Sequence, residues 1–330
     1  SRGLRAIKDS DGMVMVQDPE TAAFDGMPKA AIGTHLPDMV LPPDQMAREL
    51  YRYFDLHRTG SIQLERVFEG ESEKIHDLLE TISKEARIDF AQYKMPTLQR
   101  RIARRMTIKD CTNLDDYVAL LRNNPDEGAI LCREFLVGVT HFFRDYPGWE
   151  AMRRMVLPEL FANHQGEGPI KIWSVGCSTG EEAYTIAMLM DSYQREIGAR
   201  VDFRIFATDV NENAISAAKE GIYPESALED VPEKYTSDYL AFRRGGVYVS
   251  EKIRNKIVFS THNVATDPPY IHTDLVVCRN MLIYMTPALQ SQVLTTFSFA
   301  LRPGGYLYLG ASETIERSSS RFQPVDVRWR

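Results

Sequence analysis

The chain is poor in the features that mark secreted, membrane-spanning or fibrous proteins. Its 330 residues include four cysteines, Cys111, Cys132, Cys177 and Cys278, with no C-x-x-C pair and no histidine cluster to match them. That excludes a disulfide framework and the usual zinc-ligand spacing, so no metal is expected and the cysteines are read as reduced, in a cytoplasmic protein. No apolar run approaches the roughly 20 residues that cross a bilayer. No basic-then-apolar leader opens the chain, and a start at Ser1 reads as a piece cut from something longer. Internal repeats and low-complexity tracts are missing. Positive charge is also scarce: 39 Lys and Arg against 46 Asp and Glu leave a net charge of −7. A general nucleic-acid binder, whose affinity comes from phosphate neutralisation, is therefore disfavoured.

What is present is an ordinary globular balance on a chain long enough for about two domains. Four zones separate along it. Residues 1–56 hold a short strand candidate near Met13–Val16, a turn-rich stretch and a helical run from about Asp44, and 57–70 read as a linker. From 71 to 161 the signal is helical. Ile75, Leu78, Leu79 and Ile82 recur at three and four, and Asn124-Pro125-Asp126 reads as a helix break with a new cap. From 162 onward short apolar runs alternate with helical patterns, which indicates an α/β protein with a parallel, doubly wound sheet. The alternation lapses at 221–256, where a glycine pair precedes what reads as a small antiparallel β insertion.

One segment stands against the acidic background. Between Lys84 and Asp110 there are eight basic and three acidic residues, a surplus of five. Arg100, Arg101, Arg104 and Arg105 recur at helical spacing and suggest a face for an acidic partner.

The main chemical signal is IKIWSVGCSTGEEAY, a strand running into a glycine turn and then a helix. Gly176 and Gly180 let backbone approach a ligand, and the helix N-terminus supplies unpaired N–H groups. The next strand ends in Asp209, where a doubly wound fold grips a ribose diol. The turn lacks the middle glycine of a dinucleotide fingerprint, and Glu181 and Glu182 directly after it would repel a pyrophosphate. Two carboxylates there suit a ligand with an amino group or positive charge, such as S-adenosylmethionine. G-C-S-T-G also matches the hydrolase nucleophile elbow with Ser178 as nucleophile. That reading is rejected, because the turn opens the sheet and no histidine follows His272 to act as base. Loops bearing Asn263 and Val264, and Arg279, Asn280 and Tyr284, follow later strands and should meet the same crevice. Arg144, in VTHFFRD, is a cation placed to meet a carboxylate.

These motifs carry a resemblance. From about residue 71 to 330 the chain is similar to CheR-type chemotaxis methyltransferases, through IDFAQYKMPTLQRRIARRM, VTHFFRD, WSVGCSTGEEAY, FATDV, VVCRNMLIYM and LRPGGYLYLGASET in that order. The resemblance implies a Rossmann-like S-adenosylmethionine-dependent methyltransferase fold behind an all-α N-terminal subdomain. It implies methylation of receptor glutamates, with S-adenosylhomocysteine as product. Thr140, Arg144, Gly176, Glu181, Asp209, Asn263, Val264, Arg279 and Asn280 would surround the cofactor, with Arg144 and Tyr284 near the transferred methyl. Arg100, Arg101, Arg104 and Arg105 would dock the receptor's methylation helix, and the β insertion would tether a receptor tail as in some members. Gly138 departs from the family, which usually carries a cofactor-contacting Asn there. Residues 1–56 resemble the end of a CheB-type methylesterase whose catalytic triad lies upstream, so no esterase activity is expected and His35 is read as a turn residue. Two rival functions are a cofactor-binding scaffold without turnover and a methyltransferase for a small carboxylic acid; the basic helix favours a macromolecular acceptor.

Overall fold

The computed structural model describes residues 3–4, 7, 12–33, 37–51, 68, 70–86, 88–136, 138, 140–164, 168–313, 315 and 321–326. His35 and most of the 57–70 segment lie outside them. The chain forms two compact units, 1–139 and 140–330.

In the first unit β1 (Met15–Gln17) pairs in parallel with β2 (Met39–Leu41), and α1 (Gly26–Ile32) lies between them in sequence. Residues 43–51 are helical. Four longer helices follow: α2 (Ser72–Ala86), α3 (Met95–Ile108), α4 (Leu114–Asn123) and α5 (Pro125–Phe135). The apolar stripe of α2, from Ile75 to Ile82, is buried, as are Leu98, Ile102 and Met106 of α3 and Leu131 and Phe135 of α5. Asn124 ends α4 and its side chain accepts the Glu127 N–H (3.3 Å), with Pro125 at the first helical position, where its missing N–H costs nothing.

In the second unit, five parallel strands run in the order β10-β9-β3-β4-β8, namely Leu301–Leu309, Thr273–Cys278, Ile170–Val175, Phe203–Asp209 and Ile257–Thr261. The interior strand β9 is buried at every position, the pattern of a parallel strand covered on both faces. Helices α6 (Tyr146–Met155) and α7 (Leu157–Ala162) precede the sheet, α8 (Glu181–Glu196) follows β3, α9 (Glu212–Glu220) follows β4, and α12 (Pro287–Ala300) joins β9 to β10. The expected insertion is a three-stranded antiparallel sheet in the order β5-β7-β6: Ile222–Tyr223, Gly246–Val249 and Leu240–Arg243. It encloses α10 (Glu233–Tyr239) and is followed by α11 (Glu251–Arg254).

One boundary differs from the sequence reading. The helical zone read as ending at 161 divides at 139, because Trp149, Met152, Leu157, Leu160 and Phe161 of α6 and α7 join the core of the sheet. The last strand, Leu301–Leu309, has a register shift before Tyr306 where Pro303, Gly304 and Gly305 interrupt the ladder. Among the described residues no helix is long and apolar enough to cross a membrane.

Candidate functional site

All five strands run in one direction, so their carboxyl ends share an edge, and the candidate residues sit on the loops that leave it. The first loop is held from below. Gly176 N–H and Cys177 N–H both donate to the Thr208 carbonyl (2.8 and 2.9 Å), which bends the chain sharply off β3. Gly180 has φ +96°, and a Cβ there would stand 2.8 Å from the Ala218 Cβ, so only glycine fits. Glu181 and Glu182 begin α8, where the exposed amides favour acidic side chains. Glu181 is 6% exposed, and its carboxylate accepts the Thr179 hydroxyl at 2.6 Å.

Asp209, at the tip of β4, ties the first two loops together. Its carboxylate accepts Ser178 N–H (2.8 Å) and Asn211 N–H (2.9 Å). Burial pushes its pKa up, opposed by the amides of Asn211, Ser178 and Val210. The Asp209 carbonyl accepts His262 N–H (3.0 Å), which brings the β8 loop to the same place. Beyond it Val264 is buried. The Asn263 side-chain oxygen accepts Ala265 N–H (3.0 Å), so this side chain caps its own turn.

Glu182, the residue after Glu181, accepts the Ser174 hydroxyl (2.9 Å) with Arg279 Nη1 at 3.8 Å. Burial raises its pKa to about 7, against the pull of Arg279, Ser174 and Arg144. The Arg279 side chain is 3% exposed. It pairs with Asp145 at 2.7 Å and lies over the rings of Trp149 (4.8 Å) and Tyr308 (5.3 Å). Of its guanidinium, Nε has no hydrogen-bond partner among the described residues.

Arg144 is fixed through its neighbours. Phe143 N–H donates to the Thr185 hydroxyl of α8 (3.1 Å), the Arg144 carbonyl accepts the Trp149 indole N–H (2.8 Å), and Asp145 holds Arg279. Thr140 opens the second unit, half-buried, four residues before it. Asn280 follows β9 with φ +60°, and Tyr284 ends the short turn Leu282–Tyr284 just beyond. The geometry thus joins Gly176, Glu181, Asp209, Arg279 and Asn280 at one strand edge, with Arg144 anchored to the start of α8. The acids there suit a cationic ligand.

Three residues with clear structural work were not singled out from the sequence: Ser174, Asp145 and Glu313. Glu313 is 2% exposed and gathers four backbone N–H groups, from Asn280, Met281, Leu282 and Gly310. Its only advance sign is an acid placed close after a strand that ends in glycine.

The arginine row of α3 is corrected in part. Arg105 is buried and grips Glu127 with two bonds (Nε–Oε1 2.8 Å, Nη2–Oε2 2.7 Å), so it holds the bundle together and faces no partner. It stands three residues after Ile102 and seven after Leu98, on the buried stripe, and that spacing was the missed signal. Arg104 is 13% exposed and ion-paired with Asp38. Arg100 is exposed and Arg101 half-buried.

Three family models match the chain. The family model described as CheR methyltransferase, SAM binding domain, matches residues 138–330. The all-alpha domain of the CheR methyltransferases matches 73–136, and the CheB methylesterase model matches 1–50. An uncharacterised 104.1 kDa protein of Rhodobacter capsulatus is 35% identical over the whole chain, which spans 37% of that protein's length. A chemotaxis protein methyltransferase of Listeria monocytogenes is 33% identical over 71% of this chain and 87% of its own. Another, from Borreliella burgdorferi, is 26% identical over 74% of this chain and 88% of its own.

Proposed function

The chain belongs to the CheR methyltransferase family, with S-adenosylmethionine as cofactor, and from that premise we propose that it methylates glutamate side chains on the cytoplasmic helices of chemotaxis receptors, giving glutamyl methyl esters. The observation that carries this reading is the acidic turn: Glu181 at the start of α8 and Asp209 beside it, on a loop bent by Gly176 and Gly180. That set matches a cofactor with an ammonium and a sulfonium and mismatches a pyrophosphate. In this reading Glu181 faces the cofactor's amino group and Asp209 its ribose diol, while Thr140, Gly176, Asn263, Val264, Arg279 and Asn280 line the remainder. The cofactor supplies an electrophilic methyl on sulfur.

What the chain must add is placement. A glutamate carboxyl with a pKa near 4.3 is already anionic at neutral pH, so no general base is required. Carboxylate and sulfonium lose opposite charges as the bond forms, so a strong fixed charge at the methyl gains little. Orientation alone can supply several kcal/mol. Arg144 and Tyr284 are assigned to hold the acceptor carboxylate in line. Arg100, Arg101 and Arg104 are assigned to the acidic receptor helix, Arg104 only after release from Asp38. β6 is an edge strand of the insertion and is assigned to a receptor tail by strand addition. Residues 1–50 match the methylesterase model; by resemblance the catalytic triad of that family lies upstream of them, and esterase activity is not expected.

The test is incubation with methyl-labelled S-adenosylmethionine and a receptor cytoplasmic fragment. Label released as methanol by mild alkali is the result expected of a carboxyl ester. A scaffold that merely binds the cofactor transfers no label, and a small-acid methyltransferase labels acetate-like acids but not the fragment.

A further inference from the structure

We infer that Glu313 is a positioning residue for the cofactor pocket, acting through the turn that carries Asn280 and Tyr284; this rests on the pocket reading above. Asn280 leaves β9 at φ +60°, a left-handed conformation that only a few residue types visit routinely and that persists when its surroundings over-determine it. The over-determination is visible. Glu313 Oε2 accepts Asn280 N–H (2.9 Å) and Gly310 N–H (2.7 Å), while Oε1 accepts Met281 N–H (2.9 Å) and Leu282 N–H (2.7 Å). One buried carboxylate therefore staples the loop after β9 to the end of β10.

The surroundings are shaped for that carboxylate. Glu313 N–H donates to the Gly310 carbonyl (2.9 Å), folding the side chain back over its own turn. At Gly310 a Cβ would stand 2.8 Å from Glu313 Oε2 and 3.0 Å from Asn280 N, so a side chain there would force them apart. Both oxygens of a carboxylate accept, which matches four donors. A carboxamide of the same shape would put an NH2 in place of one accepting oxygen, donor against donor for two of those N–H groups. Neither Glu313 nor Gly310 needs to touch the cofactor for its loss to be felt, because misplacement on the order of 1 Å is enough.

The experiment is calorimetric titration of S-adenosylhomocysteine into Glu313→Gln, Asn280→Ala and the double variant, well below each unfolding midpoint. Glu313→Gln is expected to weaken binding about tenfold, and to add much less than that on top of Asn280→Ala, because the two act along one line. Should Glu313→Gln not fold, Gly310→Ala displaces the carboxylate without removing its charge and is expected to give the same loss. Wild-type-like affinity in Glu313→Gln, or in Gly310→Ala, overturns the inference, as do losses that multiply in the double variant. A wild-type protein that binds no S-adenosylhomocysteine overturns the pocket reading itself, so the two failures are distinguishable.

Discussion

Arg105 and Glu127 form a two-bond fork inside the helical unit, with the Tyr117 hydroxyl donating to Glu127 Oε1 at 3.1 Å and Lys109 standing 3.3 Å from Oε2. Burial alone would raise the Glu127 pKa, but Arg105, Tyr117 and Lys109 together outweigh it and hold the carboxyl low. The family motif around α3 thus divides its arginines between holding the bundle and facing outward.

That division is measurable. Glu127→Ala strips Arg105 of its two-bond fork and leaves it buried with only the longer contact to Glu134 (3.4 Å), which should cost roughly 3–5 kcal/mol of unfolding free energy. Arg100→Ala, at an exposed site, should change stability by no more than about 0.5 kcal/mol while weakening capture of an acidic receptor helix. Urea unfolding and peptide titration separate the two effects. Loss of peptide binding without loss of stability in Glu127→Ala would contradict the assignment.

Gly180 and Gly168 both have positive φ but differ in surroundings. A Cβ at Gly180 meets Ala218 at 2.8 Å, whereas one at Gly168 meets nothing within 4 Å. Gly180→Ala should therefore cost about 1–3 kcal/mol and weaken S-adenosylhomocysteine binding, and Gly168→Ala should cost less and leave binding unchanged. Equal unfolding midpoints for the two variants would count against the close approach of α9 to the turn.

Glu182 makes stability pH-dependent in a stated direction. Its pKa is raised from 4.5 to about 7 by burial, so the folded state prefers the protonated carboxyl. The stabilisation is complete below about pH 4.5 and is lost as pH rises through about 7. Glu182→Gln, neutral at every pH, should lack that loss, a difference on the order of 2–4 kcal/mol between pH 5 and pH 8. Parallel pH profiles for wild type and variant in urea unfolding would remove the burial argument.

Arg144→Ala should lower turnover about tenfold more than it lowers cofactor affinity, as expected of a group that orients the acceptor. Steady-state kinetics beside calorimetry with S-adenosylhomocysteine give both numbers. Equal losses would reassign Arg144 to the cofactor.

Much of this fold was legible because its signals are local. The α2 stripe, the Asn124 cap, the buried run of β9 and the glycine turn before Glu181 each declare themselves within a few residues. What escaped depends on distant partners. Ser174 finds Glu182 only after β3 turns into α8, Asp145 meets Arg279 across 134 positions, and Glu313 reaches back 33 to Asn280. Helices α6 and α7 carried the same periodicity as the bundle before them. Only the packing of Trp149 and Leu157 over the sheet decided where they belong.

Tandem mass spectrometry of a receptor cytoplasmic fragment, after incubation with this protein and S-adenosylmethionine, locates the transferred methyl group residue by residue. Methylation on glutamate side chains of the receptor helices, lowered about tenfold in Arg144→Ala, is the predicted outcome. A methyl found on lysine, or a fragment left unmodified while cofactor is bound, would contradict it.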